Sequence, residues 1–187
     1  MNMINLKNKV FTRKNLILFS IIFILIMIVL TLFFLLKHPD IQAPAGSATY
    51  SSNDSSVTIT VPNNYEFSVV EDDSYILGLR SSKISSNIFV SVNSATNIRD
   101  IKSFVDGDKN DYISKFPNIS NVSDISETTI NGLTAYNYSF NYKTNMFVDV
   151  YWILKDEKIY VIDFNINTDN EDFYSHRKEI LDKLKIV

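Results

Sequence analysis

The chain has 187 residues, no Cys, two His and a formal net charge of −3. Without thiols, disulfide staples, thiolate metal sites and thiol nucleophiles are all excluded. Residues 1–39 hold five of the 18 basic groups and no acid, so the remainder sets 13 basic against 21 acidic groups, a net of −8 that disfavours nucleic acid as a partner.

The first element is the run Leu16 to Leu36, 21 residues without charge, Gly or Pro. As a helix it would extend roughly 31 Å, about the hydrocarbon thickness of a bilayer. No polar face interrupts it, which argues against a buried core helix. Lys7, Lys9, Arg13 and Lys14 precede it, and only Lys37 and His38 come before Asp40 on the far side. Cytoplasmic flanks retain Lys and Arg, so the amino terminus is predicted to be cytoplasmic and the rest extracellular. The run is longer than the apolar part of a cleaved leader, which spans about 7–15 residues, so it reads as a retained signal anchor. The predicted organisation is therefore a basic tail over 1–14, a single-pass membrane helix over 15–37, a linker over 38–56 and a folded domain over 57–187. The span has no GxxxG, and so no specific case for helix pairing.

The linker is rich in Ser, Ala and Pro and has no apolar period; a flexible 20-residue coil of this kind spans roughly 25 Å. Past it the period becomes two. Val57, Ile59 and Val61 alternate with Thr58 and Thr60, and Tyr65, Phe67 and Val69 follow after Pro-Asn-Asn, which predicts a hairpin. Tyr75 to Arg80 and Asn87 to Asn93 read as two further strands. From Ile98 to Phe116 the spacing is helical, with Asn97 as cap, Gly107 as a break or bend and Pro117 as the stop. Three long strands are predicted next: Ser126 to Tyr142 with a bend at Asn131-Gly132, Asn145 to Lys155, and Lys158 to Asn167, the last two as a hairpin. Thr168 to Leu184 reads as a helix opened by a Thr168/Glu171 capping box, with Phe173, Ile180, Leu181 and Leu184 as its buried stripe.

Strands, helix, strands, helix with short connections describe an α+β fold, an antiparallel sheet flanked by helices. The segments ITVPNNYEFSV, TTINGLTAYNYSF, KIYVIDFNI and the terminal DKLKIV resemble the PsbP-like family, and the resemblance extends over Ser56 to Val187. Members include an extrinsic photosystem II subunit, a yeast Ran-binding protein and bacterial envelope proteins. It implies a PsbP-like α/β sandwich in a scaffolding or binding role, and it brings no family-wide catalytic set.

Candidate sites are few. His176 stands on a predicted helix among polar neighbours, with Asp172 four residues before it; a solvated helix face explains it better than a catalytic base. Asp106, Asp108 and Asn110 alternate as oxygen ligands do in a calcium loop, but Asp111 stands where the turn needs Gly and Pro117 where the bidentate Glu belongs. Tyr136, Tyr138, Phe140 and Tyr142 share one strand face, which either packs under a helix or, if open, could stack on glycan rings. Asp149 and Asp163 interrupt apolar strands, and a half-solvated face is the simple account of both. No cofactor and no catalysis are expected. The lipid bilayer through residues 16–36 and an envelope protein are the expected partners, in an extracytoplasmic binding or scaffold module. The alternatives are a ligand-sensing or glycan-binding envelope domain, or a secretion-system scaffold with an NTF2-like exterior domain. The last usually opens with helices, whereas this domain opens with strands.

Overall fold

The computed structural model describes residues 46–187, apart from 97, 99, 116, 117 and 144, together with Ile26 and Met27. The chain divides into two units, Met1–Ile41 and Gln42–Val187. Of the first, only the helical Ile26 and Met27 are described, so the basic tail and nearly all of the apolar run lie outside the described residues. The same holds for linker residues 38–45. Among the described residues no helix is long and apolar enough to cross a membrane.

The second unit is an antiparallel α+β structure. A three-stranded sheet joins β1 (Ser47–Ser51), β2 (Val57–Pro62) and β11 (Lys185–Ile186) in the order β1-β2-β11. The larger sheet runs β3 (Ser68–Val70), β4 (Leu77–Ser81), β5 (Ser86–Ser94), β10 (Lys158–Asn167), β9 (Met146–Lys155), β8 (Leu133–Tyr142) and β6 (Ile119–Ser120), with β7 (Ser126–Ile130) also on β8. Two helices complete it, α1 (Ile101–Lys115) and α2 (Glu171–Asp182).

Period-two alternation gives the larger sheet two apolar faces, each with its own core. On one, Ile153, Ile162, Phe164, Ile88 and Leu79 pack against β2 and the α2 stripe of Phe173, Ile180 and Leu181. On the other, Tyr138, Phe140, Val148, Val150, Trp152 and Val161 pack with Val105 of α1.

Several expectations are corrected. The linker reading over 38–56 overruns a strand: β1 pairs along its whole length with β2, held by Thr49–Thr60 and Ser51–Thr58 hydroxyl contacts of 3.1 and 3.2 Å and by the Tyr50 hydroxyl on the Phe67 carbonyl at 2.7 Å. The predicted hairpin from Val57 to Val69 does not form. A 3-10 turn at Asn63–Tyr65, closed by Glu66 at φ 52°, sends β3 to the other sheet, so β2 pairs with β1 and β11 instead. Ser126 to Tyr142 is not one bent strand but two, β7 and β8, because Asn131 and Gly132 both take positive φ, the conformation of a two-residue hairpin turn. The Thr168/Glu171 capping box is absent: α2 starts after Asn170, whose amide reaches back to the Ile84 carbonyl at 2.8 Å.

Helix α1 runs unbroken through Gly107. Asn97 lies outside the described residues, and the Asp100 carboxylate takes the capping role, accepting from the Lys102 amide at 3.0 Å and the Ser103 hydroxyl at 2.6 Å. Nothing stands within 4 Å of a Cβ built at Gly107. Gly107→Ala is therefore expected to raise the unfolding free energy by about 0.5–1 kcal/mol in urea denaturation, because Gly costs more backbone entropy in a helix. A helix truly interrupted there would show no gain.

Candidate functional site

The register of the larger sheet sets what lies beneath α1. Tyr138, Val150, Asp163 and Phe89 stand opposite one another across β8, β9, β10 and β5. The next row is Phe140, Val148, Asn165, Asn87 and Arg80. Helix α1 covers the β8 and β9 end of these rows. Its Phe104 meets Trp152 edge to face with ring centroids 5.6 Å apart, its Tyr112 lies 5.3 Å from Phe140, and its Asp108 accepts from the Tyr138 hydroxyl at 3.1 Å. Beyond the helix the rows turn polar, at Asp163, Asn165, Asn87 and Arg80. A cavity of about 530 Å³ fills this step between α1 and the polar part of the sheet, with Tyr75, stacked on Phe89 at 4.4 Å, in its wall.

Two carboxylates, Asp108 and Asp163, line that cavity. Burial pushes Asp163 up to about 7, and the charge of Asp108 adds to the effect. Burial also raises Asp108, against the stabilising Tyr138 hydrogen bond. Tyr75, Tyr112 and Tyr138 are held protonated by burial first; the negative charge of Asp163 adds to all three, and at Tyr138 that of Asp108 outweighs it. Asp163 is half-buried, its remaining exposure opening onto the cavity.

Asp149, one register step away, is on the opposite face and is 1 % exposed. The expectation of a half-solvated Asp149 is thus corrected: α2 closes over it. Tyr151 donates to its Oδ2 at 2.7 Å and Asn137 reaches Oδ1 at 3.4 Å. Arg177 Nη1 sits 2.8 Å from Oδ2, off the line of a hydrogen bond, so this contact acts through charge. The Arg177 guanidinium also lies over the Tyr174 and Phe147 rings at 4.6 and 5.8 Å. Burial raises Asp149, and Arg177 acts in the opposite sense. The group reads as a staple holding α2 to the sheet.

The other candidates divide. In the aromatic ladder, Tyr138 and Phe140 are each 1 % exposed beneath α1, while Tyr136 and Tyr142 are half-buried. The ladder is mainly core, and only Tyr138 and Tyr142 reach the cavity. Asp106, Asp108 and Asn110 do not converge. On a continuous helix Asp106 and Asn110 share a face, with Asn110 Nδ2 3.4 Å from Asp106 Oδ2, while Asp108 turns away to Tyr138. Among the described residues no group of three or more His, Asp or Glu could hold a metal ion. His176 Nδ1 lies 2.7 Å from both the Tyr65 hydroxyl and the Asp172 main-chain carbonyl, so Asp172 meets it through backbone and not carboxylate. His38 lies outside the described residues.

No protein-family model matches the chain, and no curated protein matches it. Solved structures do. The solution structure of cyanobacterial PsbP (CyanoP) from Synechocystis sp. PCC 6803 aligns with a TM-score of 0.58 at 11 % identity, over 78 % of this chain and 95 % of that one. The fold is PsbP-like. A second match is LpqN of Mycobacterium tuberculosis, a protein involved in cell envelope biogenesis, with a TM-score of 0.53 at 15 % identity over 75 % of this chain and 90 % of LpqN. At such identities the likeness concerns the fold, and the residues of the cavity are read from this PsbP-like domain alone.

Two outcomes follow from the two carboxylates. Arg177→Met leaves Asp149 buried without its cation and is expected to lower the unfolding free energy by about 3 kcal/mol in urea, with most of the loss recovered when Asp149→Asn is added. For Asp163 the folded state holds a proton that the unfolded chain, at its ordinary value of 3.8, releases. Its contribution therefore falls as pH rises from about 4 to 7 and stays unfavourable above that window. Asp163→Asn should raise the melting temperature by about 3 °C or more at pH 8 and change it little at pH 4.

Proposed function

We propose that this chain is a single-pass membrane protein of a bacterial envelope whose PsbP-like domain works on the outer side of the membrane as a binding or scaffold module, without catalysis. The observation that carries the reading is the joining of an uncharged 21-residue run, with four basic residues and no acid on its amino-terminal side, to a self-contained domain over residues 46–187. The likeness to LpqN, an envelope-biogenesis protein, supports the location. The absence of catalysis is supported by placement. The described imidazole, His176, is engaged at α2 with Tyr65 of the first core, whereas the cavity carboxylates belong to the other face of the sheet. The expected partners are the bilayer, through residues 16–36, and an envelope protein.

The cavity beneath α1 favours a second element within the same reading, a small-molecule ligand. Its lining includes Tyr138 and Tyr142 and leaves out Asp149, which belongs to the staple.

Protease added to intact cells is expected to digest the PsbP-like domain, and alkaline washing to leave the intact chain in the membrane fraction. Crosslinking in membranes should then return one reproducible envelope protein. A domain spared by protease in intact cells would overturn the orientation, and a chain found in the soluble cytosol would overturn the anchor.

A further inference from the structure

The cavity between α1 and the polar part of the sheet, about 530 Å³, is within the size range of small-molecule sites, roughly 300–1,000 Å³, and far larger than one metal ion requires. Its chemistry is unbalanced in a particular way. Asp108 and Asp163 arrive from two different elements, α1 and β10, and neither has an ion-pair partner among the described residues. The charge of Asp108 makes ionisation of Asp163 harder. The wall also carries aromatic rings, those of Tyr75, Tyr112 and Tyr138. Trp152 also lines the cavity and is 5 % exposed, with its indole Nε1 closed off from solvent.

The one cation of the lining, Arg80, is engaged through Nε with Asn87 Oδ1 at 3.2 Å and makes no ion pair with either acid, so a guest that satisfies the wall brings a positive charge for the two carboxylates, a hydrocarbon surface for the rings and an oxygen for the donors. Ring faces attract an alkylated or protonated amine, and carboxylates accept its N–H groups. The side-chain amides of Asn87 and Asn165, both in the cavity wall, can donate to hydroxyl or ether oxygens. Calcium would call for six to eight oxygens in one shell, whereas among the described residues no group of three or more His, Asp or Glu could hold a metal ion. We infer that the cavity binds a small protonated amine carrying oxygen acceptors, of the amino-alcohol or amino-sugar class. This deepens the binding-module reading and rests on it.

Trp152 is the single Trp of the chain, so its signals report the site directly. The experiment titrates the full chain in detergent micelles with ethanolamine, glucosamine, N-acetylglucosamine and calcium chloride, following Trp152 emission and the indole N–H resonance. Ethanolamine or glucosamine should give a saturable change. Neutral N-acetylglucosamine should bind at least about tenfold more weakly than glucosamine, a difference of about 1.4 kcal/mol. Asp108→Asn and Asp163→Asn should each weaken the amine at least about tenfold, and the exposed Glu127→Gln should leave it unchanged. The comparison of glucosamine with its neutral derivative uses the unaltered chain, so it decides the matter even if a carboxylate variant does not fold. Ethanolamine against glucosamine separates a headgroup-sized ligand from a sugar-sized one. No saturable change with either amine would overturn the proposal. So would equal binding of the neutral sugar, or displacement of the amine by calcium at lower concentration. Such a failure would leave the membrane topology and the crosslinked partner standing, whereas a cytosolic chain that still binds the amine would overturn only the anchored reading.

Discussion

The turn between β9 and β10 fixes more of this structure than any other two residues. Asp156 and Glu157 both hold positive φ, 49° and 58°, the conformation of a tight hairpin turn, and this sets Lys155 opposite Lys158. Every later pair follows, including Asp149 opposite Phe164 and Asp163 opposite Val150. Side chains alternate with a period of two, so a slip of one residue in either strand would turn its whole set to the other face. Asp149 would leave Arg177 for the underside of α1, and Ile153 would leave the first core for the second. The turn therefore decides which carboxylate becomes a staple and which becomes a wall of the cavity.

The two carboxylates show how one desolvation penalty leads to different results. Asp149 has a guanidinium at 2.8 Å and a phenol at 2.7 Å, so its negative charge is compensated where it is buried. Asp163 has neither, and the charge of Asp108 makes its ionisation harder. A sheet optimised for stability alone would place a neutral side chain at position 163. Stability given up at one position in favour of an uncompensated charge is the pattern of a binding site, where a guest later supplies what the protein leaves out.

Much of the fold was legible because the strongest signals are local. The alternation through β8, β9 and β10 and the helical stripe of Phe173, Ile180 and Leu181 lie within single segments, and the structure follows them. What was hidden depends on partners distant in the chain. The sequence of β1, Ser-Ala-Thr-Tyr-Ser, has little apolar signal and becomes a strand through β2, while β11 is two residues long and pairs with the other edge of β2. Thr58 and Thr60 alternate with the apolar residues of β2, yet both are buried, since β1 supplies hydroxyl partners. The cavity was only partly readable for the same reason. Tyr138, Tyr142 and Asp163 stand out in their own strands, but Asn87 and Arg80 come from β5 and β4, and register alone brings them alongside.

The location of the cavity has a geometric origin. A helix is about 10 Å wide and neighbouring strands are about 4.8 Å apart, so a single helix covers roughly two strands of a sheet face. On the first face, β2, its neighbours and α2 together cover the breadth of the sheet. On the second, α1 works alone above β8 and β9, and the face of β10, β5 and β4 has no helix above it among the described residues. A sheet face left open in this way must either attract another apolar surface or turn polar, and Asn165, Asn87, Ser91 and Arg80 show which course this chain takes. Solubility would be served by those residues alone. Asp163 differs because it stands at the foot of α1, where the helix removes water but supplies a second acid instead of a cation. The uncovered half of the sheet thus accounts for a polar surface, and the edge of the helix accounts for a charged pocket within it.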